Sequence, residues 1–244
     1  MTWQVPRIWE GGDVWILGGG PSVTKQFGIP DKVVQDVVRG FSPPSVYSPY
    51  MAPIHDKHVI GINVAYLIGD WIDMVFVGDQ AFFFKHIDGL AKFPGMKVTC
   101  HHMTEGYDWV KYLVRDSRHG RGISDNPKMV SWNGNSGAAA ISVAANAGAK
   151  RIILLGFDMK LDETRKQWWH NLYGRDPNAK RSPKKPWHMP FDRHLRGFAE
   201  ITKEAKRRGI EIWNVSPDSA IREFPKMNLS EALERSKKLV VEEA

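Results

Sequence analysis

Short apolar runs recur along the chain, and most close on a glycine or a polar residue. They are "DVWILGGGPSV" from Asp13 to Val23, "HVIGIN", "DMVFVGD", "MKVTCHH", "PKMVSW", "KRIILLGFD" and "IEIWNVSP". Runs this short suit strands, and their near-continuous apolar character means burial on both faces of a sheet. Helical patterns lie between them: "PDKVVQDVVRGF", the small-residue stretch "NSGAAAISVAANAGA", and "FAEITKEAKRRG", ended by Gly209. Strands alternating with helices predict a doubly wound, mostly parallel sheet of Rossmann-like α/β type.

The chain has 244 residues, 42% hydrophobic and 25% charged, which fits one folded domain over 1–244. "SPPSVYSPYMAPIHD", with four prolines and no period, reads as a long loop. The tail "NLSEALERSKKLVVEEA" reads as a terminal helix with Asn228 or Ser230 as its cap. The opening "MTWQVPRIWEGGDVW" shows no basic leader before an apolar stretch, and no run approaches the roughly 20 residues that span a bilayer, so a cytoplasmic protein is expected. Cys100 is the single cysteine and reads as a buried structural thiol. A formal charge of +7 favours an anionic partner, whether a nucleotide, a nucleic acid or an acidic surface.

Open parallel sheets bind ligands beyond the carboxyl ends of their strands. The first such end holds Gly18, Gly19, Gly20, Pro21 and Ser22. It lacks the third glycine of a dinucleotide fingerprint and the Lys-Ser or Lys-Thr pair of a phosphate-binding loop, yet its amides can still face an anion and Ser22 can add a hydroxyl. A tight turn without ligand is the plain alternative. In "WNGNSGAAAIS", Asn135, Ser136 and Gly137 open a helix whose small first turn leaves its amides accessible to an anion; the same alanines also let the helix pack close to the sheet. Asn63 follows "VIGI" and is a candidate to read a base or sugar. Asp79 and Asp158 end apolar strands, where a carboxylate either caps a loop or faces a cleft.

Residues 160–196 are too long and too polar for an ordinary connection, and read as a basic, aromatic lid over the strand ends. They carry His170, His188 and His194, many lysines and arginines, and Trp168, Trp169, Tyr173 and Trp187. Charge with aromatics suits phosphate neutralisation and base stacking; the plain alternative is a solvated surface loop whose tryptophans dock it to the body. A neutral imidazole beside a cleft can act as a general base at pH 7. No histidine pair has HExxH spacing and one cysteine excludes a thiolate cluster, so no metal is expected.

In order and spacing, "ILGGGPSV", "GINVAYL", "NSGAAAISVAANAGAKRIILLGFDM" and "WNVSPDSAIREFP" resemble the Rossmann-like bacterial sialyltransferases. They are similar also to the 6-hydroxymethylpterin diphosphokinase-like proteins common in tailed phages. The resemblance implies a nucleotide between the two glycine-containing loops, with Asn63 near it and Ser136 and Gly137 near the donor. It implies metal-independent transfer from a nucleotide-sugar of CMP type, with a histidine deprotonating the acceptor. His194 in "PFDRHLRGF" matches that histidine, while Trp169 and His170 match the Trp-His motif of the phage group; Tyr173 is a loose match to tyrosines that assist phosphate departure.

The expected function is a nucleotide-dependent transferase, glycosyltransferase-like. His170, His194 and Asp158 are its candidate catalytic residues. Gly18 to Ser22, Asn63, Asp79 and Asn135 to Gly137 would hold nucleotide, and Trp169, Tyr173 and His188 would touch substrate. Two alternatives stand beside it: ATP-dependent diphosphate transfer to a hydroxymethyl compound, and a nucleic-acid-binding accessory protein. A transferase acting on modified DNA bases would combine the last with the first.

Overall fold

The computed structural model describes residues 3–116, 120–163, 167–173 and 191–242. Among the described residues nine strands form in chain order: β1 (Asp13–Leu17), β2 (His58–Ile62), β3 (Met74–Val77), β4 (Met96–Thr99), β5 (Lys111–Tyr112), β6 (Val114–Arg115), β7 (Met129–Val130), β8 (Arg151–Leu155) and β9 (Glu211–Val215). The helices are α1 (Ser22–Gln26), α2 (Asp31–Arg39), α3 (Gln80–Lys85), α4 (Ile87–Lys92), α5 (Ser136–Asn146), α6 (Phe191–Leu195), α7 (Phe198–Arg207) and α8 (Leu229–Glu242). Seven strands make one sheet in the order β5-β4-β3-β2-β1-β8-β9, and every pairing in it is parallel. The doubly wound, Rossmann-like α/β fold expected from the apolar runs is therefore the observed one.

Alternation along each strand feeds two cores. Val14, Ile16, Ile60, Phe76 and Leu154 pack with the alanines of α5 and with Phe198 and Ile201 of α7. Trp15, Leu17, Val75, Ile153 and Val215 pack on the other face with Val23, Val37, Tyr47, Met51 and Ala232. Both faces are covered, which explains why the strand runs show little polar alternation.

Two element expectations need correction. The proline-rich stretch is a 3-10 helix over Pro44–Ile54, with Tyr47, Met51 and Ile54 fully buried. Pro44 stands in its first turn, where a missing amide costs nothing, Pro49 and Pro53 lie inside it, and a buried stripe holds it to the sheet where a loop was expected. "PKMVSW" contributes only Met129–Val130, which pairs with Val114–Arg115 in a separate two-stranded ribbon outside the main sheet. The terminal helix forms as expected, and the Asn228 side chain accepts the Glu231 amide at 2.9 Å.

At the opposite end from the site, Asp13, Arg151 and Glu211 stand in register at the starts of β1, β8 and β9. Arg151 is buried, bonded to Asp13 and laid over the Trp213 ring at 4.6 Å, and Ser236 of α8 also donates to Asp13. This knot ties the last helix to the central strands.

Candidate functional site

The chain leaves β1 toward β2 on one side, and β8 later pairs with β1 on the other. The strand order therefore reverses between β1 and β8, and their carboxyl ends diverge around a crevice. A cleft of about 490 Å³ opens there. It is lined by Gly18, Gly19, Gly20, Asn63, Asp79, Asn135, Ser136, Gly137, Asp158, Tyr173 and His194 of the residues the sequence singled out. Pro21, Ser22, Trp169 and His170 lie outside that lining, and His188 lies outside the described residues.

The glycine loop is consumed largely by the protein itself. Gly18 and Gly20 donate their amides to the Leu155 and Gly156 carbonyls at 2.8 and 2.9 Å, stitching the turn to the end of β8. A Cβ on Gly18 would lie 2.9 Å from the Gly156 carbonyl, and one on Gly20 would collide with the Asp158 carboxylate. Gly19 is different: its amide has no bond within the described residues, and its open side faces Trp168 and His170.

The Ser22 hydroxyl, expected to face a ligand, instead donates to Asp158 Oδ2 at 3.0 Å and meets Ser216 Oγ at 2.8 Å. Asp158 is buried, and that burial raises its carboxyl above the ordinary 3.8 while the Ser22 bonds oppose the rise.

Across the cleft stands the start of α5. Asn135 caps it, its side chain accepting the Ala138 amide at 2.8 Å, while its carbonyl takes the Ala139 amide. Ser136 and Gly137 hold the first-turn amides that precede the capped ones, and both line the cleft. Gly137 is small because the Phe157 ring lies 2.9 Å from where its Cβ would be. The positive end of α5 thus faces the β1 turn.

Asp79 has a similar dual position: it lines the cleft, and its Oδ1 accepts the Phe82 amide at 2.8 Å as the cap of α3. Asn63 sits at φ 51°, a left-handed conformation that asparagine tolerates better than most residues. Its amide donates to the Tyr173 hydroxyl at 3.0 Å, while its Oδ1 is buried without a partner among the described residues. Burial pushes the Tyr173 hydroxyl up to about 12, with Asp79 adding to the rise.

Of the expected lid, residues 168–173 form a wall anchored at several points. Trp169 is 1% exposed, so it does not present its ring to substrate as expected. Its indole donates to the Gly18 carbonyl at 2.9 Å, its amide to the Gly19 carbonyl at 3.1 Å, and its own carbonyl accepts the Tyr47 hydroxyl. Lys85 of α3 donates to the Leu172 carbonyl at 3.0 Å. Trp168, in front of Trp169, meets Tyr173 edge to face with centroids 4.7 Å apart and lines the cleft.

Of the three candidate histidines, the two that lie among the described residues differ. His194, on α6, lines the cleft, and burial together with Arg193 pushes its imidazole down to about 4. His170 is 3% exposed and pushed down to about 3 by burial and then by His86. Both are neutral at pH 7. The sequence reading missed Trp132, Phe82 and Lys85, which line the cleft beside Arg193 of the expected lid. Trp132 stands immediately before the "NGNSG" turn, and Phe82 and Lys85 lie one turn into the helix that Asp79 caps; adjacency to strand-end residues was the available signal. Among the described residues no three His, Cys, Asp or Glu side chains gather as a metal site, and no helix is long and apolar enough to cross a membrane.

The class that fold and cleft define is a Rossmann-like α/β protein with a ligand-sized crevice at the switch point. Among solved structures, the chain is similar to the MAf glycosyltransferase from Magnetospirillum magneticum AMB-1, with a TM-score of 0.55 and 12% identity. That match covers 98% of this chain but only 38% of the other, so the chain spans well under half of that enzyme's length. A sialyltransferase Cst-II structure in complex with CMP gives a TM-score of 0.47 at 14% identity, covering 89% of this chain and 86% of that one. CstII from Campylobacter jejuni in complex with a substrate analogue gives 0.43 at 12%, covering 89% and 85%. No family model and no curated protein matches the sequence.

Proposed function

We propose that the protein is a nucleotide-dependent transferase, glycosyltransferase-like, that takes a nucleotide-sugar donor of CMP type or a close relative and needs no metal ion. One observation carries the reading: the β1 turn and the uncapped amides of α5 face each other across a crevice at the switch point. Its volume of about 490 Å³ falls within the range of roughly 300–1,000 Å³ usual for small-ligand sites. The fold shared with a structure described as a glycosyltransferase supports the same class.

In this reading the Gly19 amide and the Ser136 and Gly137 amides hold the donor's phosphate. Phe82, Trp132 and Trp168 provide apolar faces for a base. Lys85, Lys160 and Arg193 offset the negative charge that grows on the leaving phosphate. Asn63 and Asp158 accept hydrogen bonds from sugar or acceptor hydroxyls. His194 takes the acceptor's proton: its neutral imidazole reaches the cleft, and its Nε2, 3.4 Å from the Arg193 guanidinium, frees its lone pair when Arg193 turns to the leaving phosphate.

Thermal-shift titration with CMP, UMP, GMP and AMP tests the site, and donor turnover tests the chemistry. At least one monophosphate should raise the melting temperature. His194→Ala should keep that shift while slowing transfer by about 10²–10⁴-fold, the usual worth of a positioned general base. No stabilisation by any of the four would overturn the nucleotide reading. Full transfer activity in His194→Ala would remove that residue from the role.

A further inference from the structure

We infer that His170 is a ligand-binding donor, a neutral Nε2–H that stands beside Gly19 and bonds a phosphoryl oxygen of the nucleotide, and is not the base of the reaction. The inference rests on the nucleotide reading above and assigns a role to a side chain buried behind the cleft wall.

The tautomer follows from one bond. The Leu172 amide donates to His170 Nδ1 at 3.1 Å, so Nδ1 carries the lone pair and the single proton of the neutral ring belongs to Nε2. A ring whose acceptor nitrogen is already occupied has no lone pair left for a substrate proton. Burial and His86 oppose the doubly protonated form as well.

The Nε2 atom is buried and has no hydrogen-bond partner among the described residues. An N–H in that condition is costly unless something accepts it. Rings hold it in place: Trp168 is stacked at 6.1 Å, and Trp169 and Tyr173 meet it edge to face at 4.7 Å each. The atom lies 3.9 Å from where a Cβ of Gly19 would be, and Gly19 lines the cleft. The space a side chain would have occupied at Gly19 is therefore bordered by the edge of the Trp168 ring at 3.1 Å and, beside it, by this donor at 3.9 Å.

The same turn says what kind of atom fits. The Gly18 and Gly19 carbonyls are both taken by Trp169, and the Gly20 carbonyl accepts the Val23 amide. The turn thus offers the Gly19 amide and the His170 ring as donors, while its carbonyl acceptors are engaged. A hydroxyl would have to share a carbonyl already in use, whereas a phosphoryl oxygen only accepts and suits two neighbouring donors.

The test compares CMP, UMP, GMP and AMP with their nucleosides, on the intact chain carrying isotope-labelled histidine. In the free protein the His170 signals should show the Nε2–H tautomer, and the stabilising monophosphate should move the Nε2 resonance while its nucleoside does not. His170→Leu should weaken that monophosphate by about tenfold and leave nucleoside affinity unchanged, the worth of one good hydrogen bond. His170→Gln, which can still place an N–H near the same point, should stay within about threefold of wild type. A bound monophosphate that leaves Nε2 unmoved, or that binds His170→Leu normally, would overturn the His170 assignment alone. If no monophosphate binds the wild-type chain, the nucleotide reading falls and this inference falls with it.

Discussion

At the scale of single residues, the glycine run divides into positions that serve the fold and one that serves the cleft. Gly18 and Gly20 are bare so that the β8 carbonyls and the Asp158 carboxylate can approach; Gly19 alone opens toward Trp168 and His170. Substituting Gly20→Ala should cost about 1–3 kcal/mol in urea unfolding, because its methyl meets a carboxylate and lies 2.6 Å from the Gly156 carbonyl, with no void to take either. Gly19→Ala should unfold at nearly the wild-type urea concentration, since only the edge of Trp168 lies as close as 3.1 Å, yet it should diminish the thermal shift produced by nucleotide. Three glycines behind a strand were legible as a turn that something approaches closely. Which glycine faces protein and which faces solvent was not, because the partner atoms come from a strand more than a hundred residues away.

Elements show the same division between cap and contact. Asn135 was read as a nucleotide residue, and its side chain is engaged in capping α5, where it also reaches the His194 carbonyl at 3.4 Å. Asn135→Ala should therefore lower stability by about 1 kcal/mol in denaturant titration, while Asn135→Ser, which can still cap, should stay close to wild type. The helices and long strands were legible because a 3.6-residue or continuous apolar pattern is a local property of the chain. The two-residue strands β5 and β6 were not: pairs such as Lys111–Tyr112 carry no period, and become strands only by lying beside a neighbour, while β7 was read as a strand but not as half of a separate ribbon. The 3-10 segment escaped for a related reason, since its prolines mask a buried stripe that only packing makes visible.

Across the whole molecule, the buried His170 imidazole and the half-buried His194 imidazole link stability to pH. The pKa values of His170 and His194 lie below the ordinary 6.5 in the folded chain, at about 3 and about 4. Between those values and 6.5 the unfolded chain binds more protons, so stability is complete above about 6.5 and declines as pH falls through this window. Asp158 acts oppositely: its raised carboxyl favours the folded state below 3.8, and that contribution is lost as pH rises through its folded value. Urea midpoints should accordingly drop between pH 7 and pH 5, each imidazole contributing up to about 1.4 kcal/mol per pH unit, and His170→Gln should flatten the slope. A wild-type midpoint constant over that range would contradict the burial of both rings.

The sequence by itself determined that the strands are buried on both faces, that helices separate them, and which residues stand at their carboxyl ends. Apolar continuity, helical spacing and turn chemistry are properties of neighbouring residues, so they survive without a fold. Tertiary structure decided the strand order, and with it the reversal between β1 and β8 that opens the crevice. It also decided which polar groups are used up internally: Ser22 on Asp158 across 136 positions, Trp169 on the Gly18 carbonyl across 151. Any of these buried strands could in principle pair with any other, and a hydrogen-bonding group shows no preference for ligand over protein until its nearest acceptor is in place. The groups left over once those internal bonds are counted, the Gly19 amide and His170 Nε2 among them, become visible only in the folded chain.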